Sequence, residues 1–105
     1  MQSGVIQEIT RNELVLVGAT SIIISDFRNQ ENPRKTISIR NISTNVNDVI
    51  TINFGYNQAV AGAGIVLNPN EAVSDQTLNE YYQCFNGVIT GICATANGKL
   101  AIFER

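Results

Sequence analysis

The sequence predicts an all-β fold, a single-domain antiparallel β-sandwich of jelly-roll-like form with about eight short strands. Three observations carry that expectation. Isoleucine, valine and threonine together number 31, against five leucines. Such β-branched side chains lose rotamer freedom in a helix and fit the pleated surface of a strand. The polar residues favour turns: there are 13 asparagines and six glutamines, and asparagine bonds to nearby backbone and tolerates left-handed geometry. Finally, the apolar runs are short and bounded by turn residues, and none has the spacing of a long amphipathic helix. Short, unequal runs suit two small packed sheets better than a barrel.

Taken in order, residues 1–12 are expected to form an N-terminal arm. Leu14-Val15-Leu16-Val17 and Ser21-Ile22-Ile23-Ile24-Ser25 flank Gly18-Ala19-Thr20 and read as successive strands. The polar stretch 28–35, which contains Pro33, reads as a loop. Residues 36–40 alternate strictly, with Ile37 and Ile39 on one face, and residues 41–47 are turn-like. Residues 48–54 alternate again, with Ile50, Ile52 and Phe54 inward and Thr51 and Asn53 outward. These two segments are the clearest hairpin-type pair of the first half. Residues 55–64, rich in glycine and alanine, read as a loop or weak strand.

Ile65-Val66-Leu67 is a short strand stopped by Asn68-Pro69-Asn70, where proline fixes φ and removes a ladder donor. Residues 71–75 form a further short strand, and residues 78–82 admit a single helical turn. Residues 82–95 are apolar, with Gly87 and Gly91 at bulge or bend positions. Asn97-Gly98 suits a type I′ turn. Residues 99–104 would then return as the second strand of a hairpin, with Cys93 opposite Ile102 and Ile92 opposite Phe103. Both strands carry apolar residues on both faces, so that hairpin is expected at the centre of its sheet or covered by a partner on its outer face.

Length and charge narrow the function. A chain of 105 residues is the size of one domain. Only 15 % of residues are charged and the net charge is −2, which argues against a nucleic-acid binder that must displace counterions from phosphates. No apolar run approaches the roughly 18–20 residues of a membrane span. Met1-Gln2-Ser3-Gly4 lacks the basic and then apolar pattern of a signal peptide, so the chain is expected to be made and kept in the cytosol, or in something assembled there. Cys84 and Cys93 read as reduced, buried thiols, since there is no Cys-x-x-Cys spacing and no histidine.

Chemistry-bearing motifs are mostly absent. Without histidine there is no Ser-His-Asp or Cys-His arrangement. Gly62-Ala63-Gly64 lacks the lysine and the helix of a phosphate-binding loop. Asp26, Glu31, Asp48, Glu71, Asp75, Glu80 and Glu104 fall at expected strand ends or loops and read as solvated charges. No catalytic, cofactor-binding or metal-binding residue is expected, and no cofactor. The polar loop is the candidate contact arm for a neighbouring protein, through Arg28, Asn29, Gln30, Glu31 and Arg34, joined by Tyr81 and Tyr82. Tyr56, Tyr81 and Tyr82 with Phe27, Phe85 and Phe103 admit a carbohydrate-stacking platform. The reading preferred is core phenylalanines with tyrosines half-buried at sheet edges or an interface.

The second half runs Gly64-Ile65-x-Leu67-x-Pro69-x-Glu71, then Phe85-x-Gly87-x-Ile89, and finishes Leu100-Ala101-Ile102-Phe103-Glu104-Arg105. With the strands at Ile37-Ser38-Ile39 and Ile50-Thr51-Ile52, this resembles small virion proteins of tailed bacteriophages, over roughly residues 36–105. It departs at Asn70, where such sequences often carry glycine, and at Phe85, often tryptophan. The resemblance implies a non-enzymatic capsid decoration, cement or head-fibre base protein. That protein would be made in the host cytoplasm and located in the virion, with a capsid or other virion protein as its partner. The β-branched content and open edges add self-association, with a trimer favoured and neither nucleic acid nor membrane as partner. The competing class is a small-molecule or carbohydrate-binding β-sandwich module.

Overall fold

Strands that follow one another in this chain rarely pair with one another. The structure, a computed structural model, describes residues 10–105. Eight strands form: β1 (Arg11–Val17), β2 (Ile22–Ser25), β3 (Thr36–Asn41), β4 (Ile50–Phe54), β5 (Ile65–Leu67), β6 (Ala72–Gln76), β7 (Ile89–Cys93) and β8 (Gly98–Glu104). They build two four-stranded sheets, in the orders β1-β8-β3-β6 and β2-β7-β4-β5, every pair antiparallel. β1 pairs β8, β2 pairs β7, β3 pairs β6 and β4 pairs β5, so the chain is one long doubled ribbon with its tip at the β4–β5 loop. Wrapping that ribbon adds the β3–β8 and β4–β7 ladders. This is the jelly-roll arrangement of a β-sandwich. No helix occurs among the described residues. Of the arm expected over residues 1–12, Arg11 and Asn12 belong to β1 and residues 1–9 lie outside the described residues.

The core lies between the sheets, where Ile37, Ile39, Leu100, Ile102 and Val17 of one sheet meet Ile24, Ile50, Ile52, Leu67, Ile89 and Cys93 of the other, with Cys84. The abundance of isoleucine is the abundance of this core: each strand contributes alternate residues to one face, and each buried isoleucine contributes about 1.5–3 kcal/mol. Cys84 and Cys93 are free and buried.

Four local expectations need correction. The Asn97-Gly98 hairpin does not form, because β7 and β8 lie in opposite sheets. A type I′ turn needs positive φ at both central residues. Neither Asn97 nor Gly98 has it; among the described residues the positive-φ positions are Asn70, Gly55, Gly62 and Gly64. The Thr95 hydroxyl instead accepts the Asn97 N–H at 3.1 Å and donates to the Asp48 carboxylate at 2.5 Å, steering the chain across the sandwich. Crossing gives β8 two neighbours, β1 and β3, and sets Leu100 and Cys93 in the same core from opposite sides. Each strand is central in its own sheet.

The hairpin signal of the first half fails for the same reason, since β3 and β4 also face each other across the core. Residues 78–82 form no helical turn: the Asn79 side chain accepts the Tyr81 and Tyr82 N–H groups at 2.8 and 3.1 Å, and Asn79 bridges Tyr82. Gly91 sits in an unbroken β4–β7 register, and the irregularity lies in β2, between Ile23 and Ser25. Asn70, with φ 75°, turns the chain from β5 to β6.

Candidate interaction site

The registers sort the connections by end. Glu104 lies opposite both Arg11 and Ile37, and Ser25 opposite Ile89, so these residues share one end of the sandwich. The three long connections emerge there: 26–35, 55–64 and 77–88. The other end carries 18–21, 42–49, 68–71 and 94–97, three of them four residues long. The two segments singled out in the sequence, the polar loop and the tyrosine pair, are therefore neighbours.

A buried arginine holds this end together. Arg34 is 1 % exposed, and its guanidinium donates Nε to Glu104 Oε2 at 2.8 Å. Nη1 donates to the carbonyls of Phe85 and Gly87 at 2.6 and 3.1 Å, and Nη2 donates to Ser25 Oγ and the Asp26 carbonyl at 2.8 and 2.7 Å. All five guanidinium N–H groups thus meet an acceptor. Glu104 also accepts Arg11 Nη1 at 2.8 Å and the Ser25 hydroxyl at 2.9 Å. Burial alone would raise the Glu104 pKa, but hydrogen bonds from Arg11, Arg34 and Ser25 hold it below the usual carboxylate range. For Arg11, burial lowers the pKa, and the hydrogen bonds to Glu104 and Glu13 outweigh it and raise it.

Asn86 stitches two of the loops: it accepts the Arg28 N–H at 3.0 Å and the Arg34 N–H at 2.7 Å, and its amide donates to the Arg28 carbonyl at 2.5 Å. Asp75 on β6 accepts the Tyr82 hydroxyl at 2.6 Å and the Phe85 N–H at 2.9 Å. Burial pushes its pKa up, and the Tyr82 bond with the Phe85 and Gln76 N–H groups brings it below its ordinary value. The loop 55–64 folds back over the second sheet. There the Gly62 N–H donates to Thr51 Oγ1 at 3.0 Å, Thr90 Oγ1 donates to the Asn57 carbonyl at 2.9 Å, and the Asn53 amide reaches the Gly55 and Asn57 carbonyls at 3.1 Å. Thr51 and Thr90 are buried in consequence.

Arg34 is an interior residue and not a contact residue, and Arg28 is mostly buried, within 4.0 Å of Glu104. Nothing local marks Arg34 as structural, because its partners come from positions 25, 26, 85, 87 and 104. Glu104 and Asp48 are likewise buried and not solvated. Asn29, Gln30 and Glu31 are exposed, as is Tyr82, tethered to Asp75. Tyr81 is 88 % and Tyr56 84 % exposed, well beyond half-buried. Phe27, expected in the core, is 65 % exposed, and Leu78 is exposed beside the tyrosines. Phe85 does pack inward, its ring centroid 5.3 Å from that of Phe54. The end of the sandwich therefore presents Phe27, Tyr56, Leu78 and Tyr81 on backbone that is pinned from below. Beside Tyr56 lies a depression of about 460 Å³ lined by Phe85, Gly87 and Val88.

The chemistry available is limited. Burial, with a further contribution from the Asp75 carboxylate, pushes the Cys84 thiol up to about 11, so it stays protonated at neutral pH and is a poor nucleophile. Among the described residues no group of three or more acidic, cysteine or histidine side chains is placed to hold a metal ion. The fold and site define a jelly-roll β-sandwich with an aromatic, loop-built end. No protein-family model, curated protein or solved structure matches the chain.

Proposed function

We propose that this chain is a non-enzymatic structural protein of a virus particle, docked on the capsid surface through its long-loop end as a decoration, cement or head-fibre base protein. The observation that carries the reading is that end itself: four large apolar side chains, Phe27, Tyr56, Leu78 and Tyr81, stand exposed on loops locked by Arg34 and Asn86 and, around Tyr56, by Asn53 and Thr90. Ordered loops lose little entropy on binding, and exposed aromatics among asparagine and glutamine are the composition of a protein-binding surface. The jelly roll is a frequent fold of viral capsid proteins and also of lectins, and the likeness of residues 36–105 to phage virion proteins favours the first. Repeated sites on a shell multiply weak contacts by avidity.

Mass spectrometry and electron microscopy of particles from a genome that encodes the chain should place it on the shell. Tyr81→Ala and Phe27→Ala should each weaken rebinding to stripped particles by about tenfold or more, the size of an interface hot spot. Particles that lack the chain, or rebinding untouched by both changes, would sink the proposal. A carbohydrate-binding module is the second reading, favoured by the depression beside Tyr56. Sugar titration that moves the NMR signals of Tyr56 and Gly87, with no particle binding, would select it.

A further inference from the structure

The first sheet ends on an open edge at β1, and we propose that a second copy of this chain closes it. β1 pairs antiparallel with β1 of the second copy about a two-fold axis at Leu14, joining two four-stranded sheets into one of eight. Sheets expose four edges here, on β1, β6, β2 and β5, and proteins commonly blunt such edges with short strands, bulges, charges or proline. β5 has three residues; β2 has four and an irregular register; β6 has five and carries Asp75, tied to the 77–88 loop through Tyr82. β1 has seven residues in unbroken register with β8, from Arg11 opposite Glu104 to Val17 opposite Gly98, and contains neither proline nor lysine. Among the described residues no strand pairs with its other edge. Leu14 and Leu16, 56 % and 66 % exposed, stand on its outer face.

The strand is complementary to itself. Full overlap of Arg11–Val17 with its copy sets Leu14 against Leu14 of the second chain, Leu16 against Asn12, Glu13 against Val15 and Arg11 against Val17. Sliding toward the N-terminus by one pair would oppose Glu13 with Glu13, and by three would oppose Arg11 with Arg11, which like charges disfavour. Sliding toward the C-terminus shortens the overlap to five residues, 13–17. Seven paired residues form about six to eight backbone hydrogen bonds, within the roughly ten of a typical interface. The contact is one strand wide and roughly 23 Å long, smaller than stable interfaces of about 1,200–2,000 Å², so the pair dissociates on dilution. An antiparallel edge closes on itself through a two-fold axis, which selects a pair over the trimer favoured by the sequence. β1 starts at the loop end, where Arg11 bonds Glu104, and runs to the opposite end; it carries none of Phe27, Tyr56, Leu78 and Tyr81, so this pairing stands independently of what those side chains bind.

Sedimentation velocity over a concentration series should give a monomer–dimer equilibrium for the wild-type chain. Leu14→Lys should leave a monomer throughout, with its thermal unfolding matching the wild type at concentrations where the wild type is also monomeric, because the side chain points to solvent. Leu14→Cys should cross-link to a covalent dimer under mild oxidation, far faster than Leu16→Cys, whose counterpart across the axis is Asn12. A wild-type monomer over the whole range, a trimer, a dimer that survives Leu14→Lys, or equal cross-linking of the two cysteine variants overturns the proposal.

Discussion

Arg34 and Glu104 illustrate how single residues decide more here than their chemistry suggests. An ion pair taken out of water gains little net stability, but removing one member leaves the other charge buried, at a cost of about 3–5 kcal/mol. Glu104→Gln should therefore destabilise the protein by that order at neutral pH. The acid dependence follows from the direction of the Glu104 shift: its folded pKa lies below the ordinary carboxylate value of 4.5. Its contribution is complete above that value and is lost as pH falls through the folded pKa. Urea unfolding at a series of pH values should show wild-type stability falling below about pH 4.5, and a flatter profile for Glu104→Gln. Gly98 is decided by space. A Cβ there would stand 2.7 Å from the Val17 carbonyl oxygen and 2.8 Å from Cys93 Sγ, so Gly98→Ala should cost about 1–3 kcal/mol as overpacking. Its φ is not positive, so Gly98→Asn should be no better tolerated than alanine; a clear rescue by asparagine in denaturation midpoints would restore the turn explanation.

At the scale of elements, strand existence was legible and strand partners were not. Alternation of Ile37 with Ile39 and of Ile50 with Ile52 marks β3 and β4, and the polar run before Thr36 marks a loop, because side-chain period reports which face is buried. The same pattern is silent on whether the next strand lies beside or across the core, since both placements bury the same residues. The Asn97-Gly98 dipeptide misled because turn propensity is local and weak, whereas giving β8 ladders to both β1 and β3 is worth many hydrogen bonds. Amide exchange separates the alternatives. β7 and β8, each flanked on both sides, should hold the slowest-exchanging amides, and the three-residue edge strand β5 should exchange faster. Unprotected amides over residues 99–104 would contradict the central position of β8.

In the molecule as a whole the first strand pairs the last, the second the seventh, and so inward to the β4–β5 tip. The sandwich is closed only when the C-terminal strand is in place. Deleting residues 101–105 removes most of β8 together with Glu104, opening the ladders to β1 and β3 and stranding Arg34, so circular dichroism should show no cooperative unfolding transition. A truncated chain that still unfolds cooperatively would mean that the wrapped ribbon is not the stable unit. Sequence by itself determined the all-β class, the near-complete set of strands, the buried free thiols and the polar loop, since each rests on local composition and period. The pairing of strands, the burial of Arg34 and Glu104, and the gathering of Phe27, Tyr56 and Tyr81 at one end were decided only by the tertiary structure. Those features depend on contacts between residues as much as 93 positions apart, and no local pattern encodes which distant partner closes a hydrogen bond or covers a side chain.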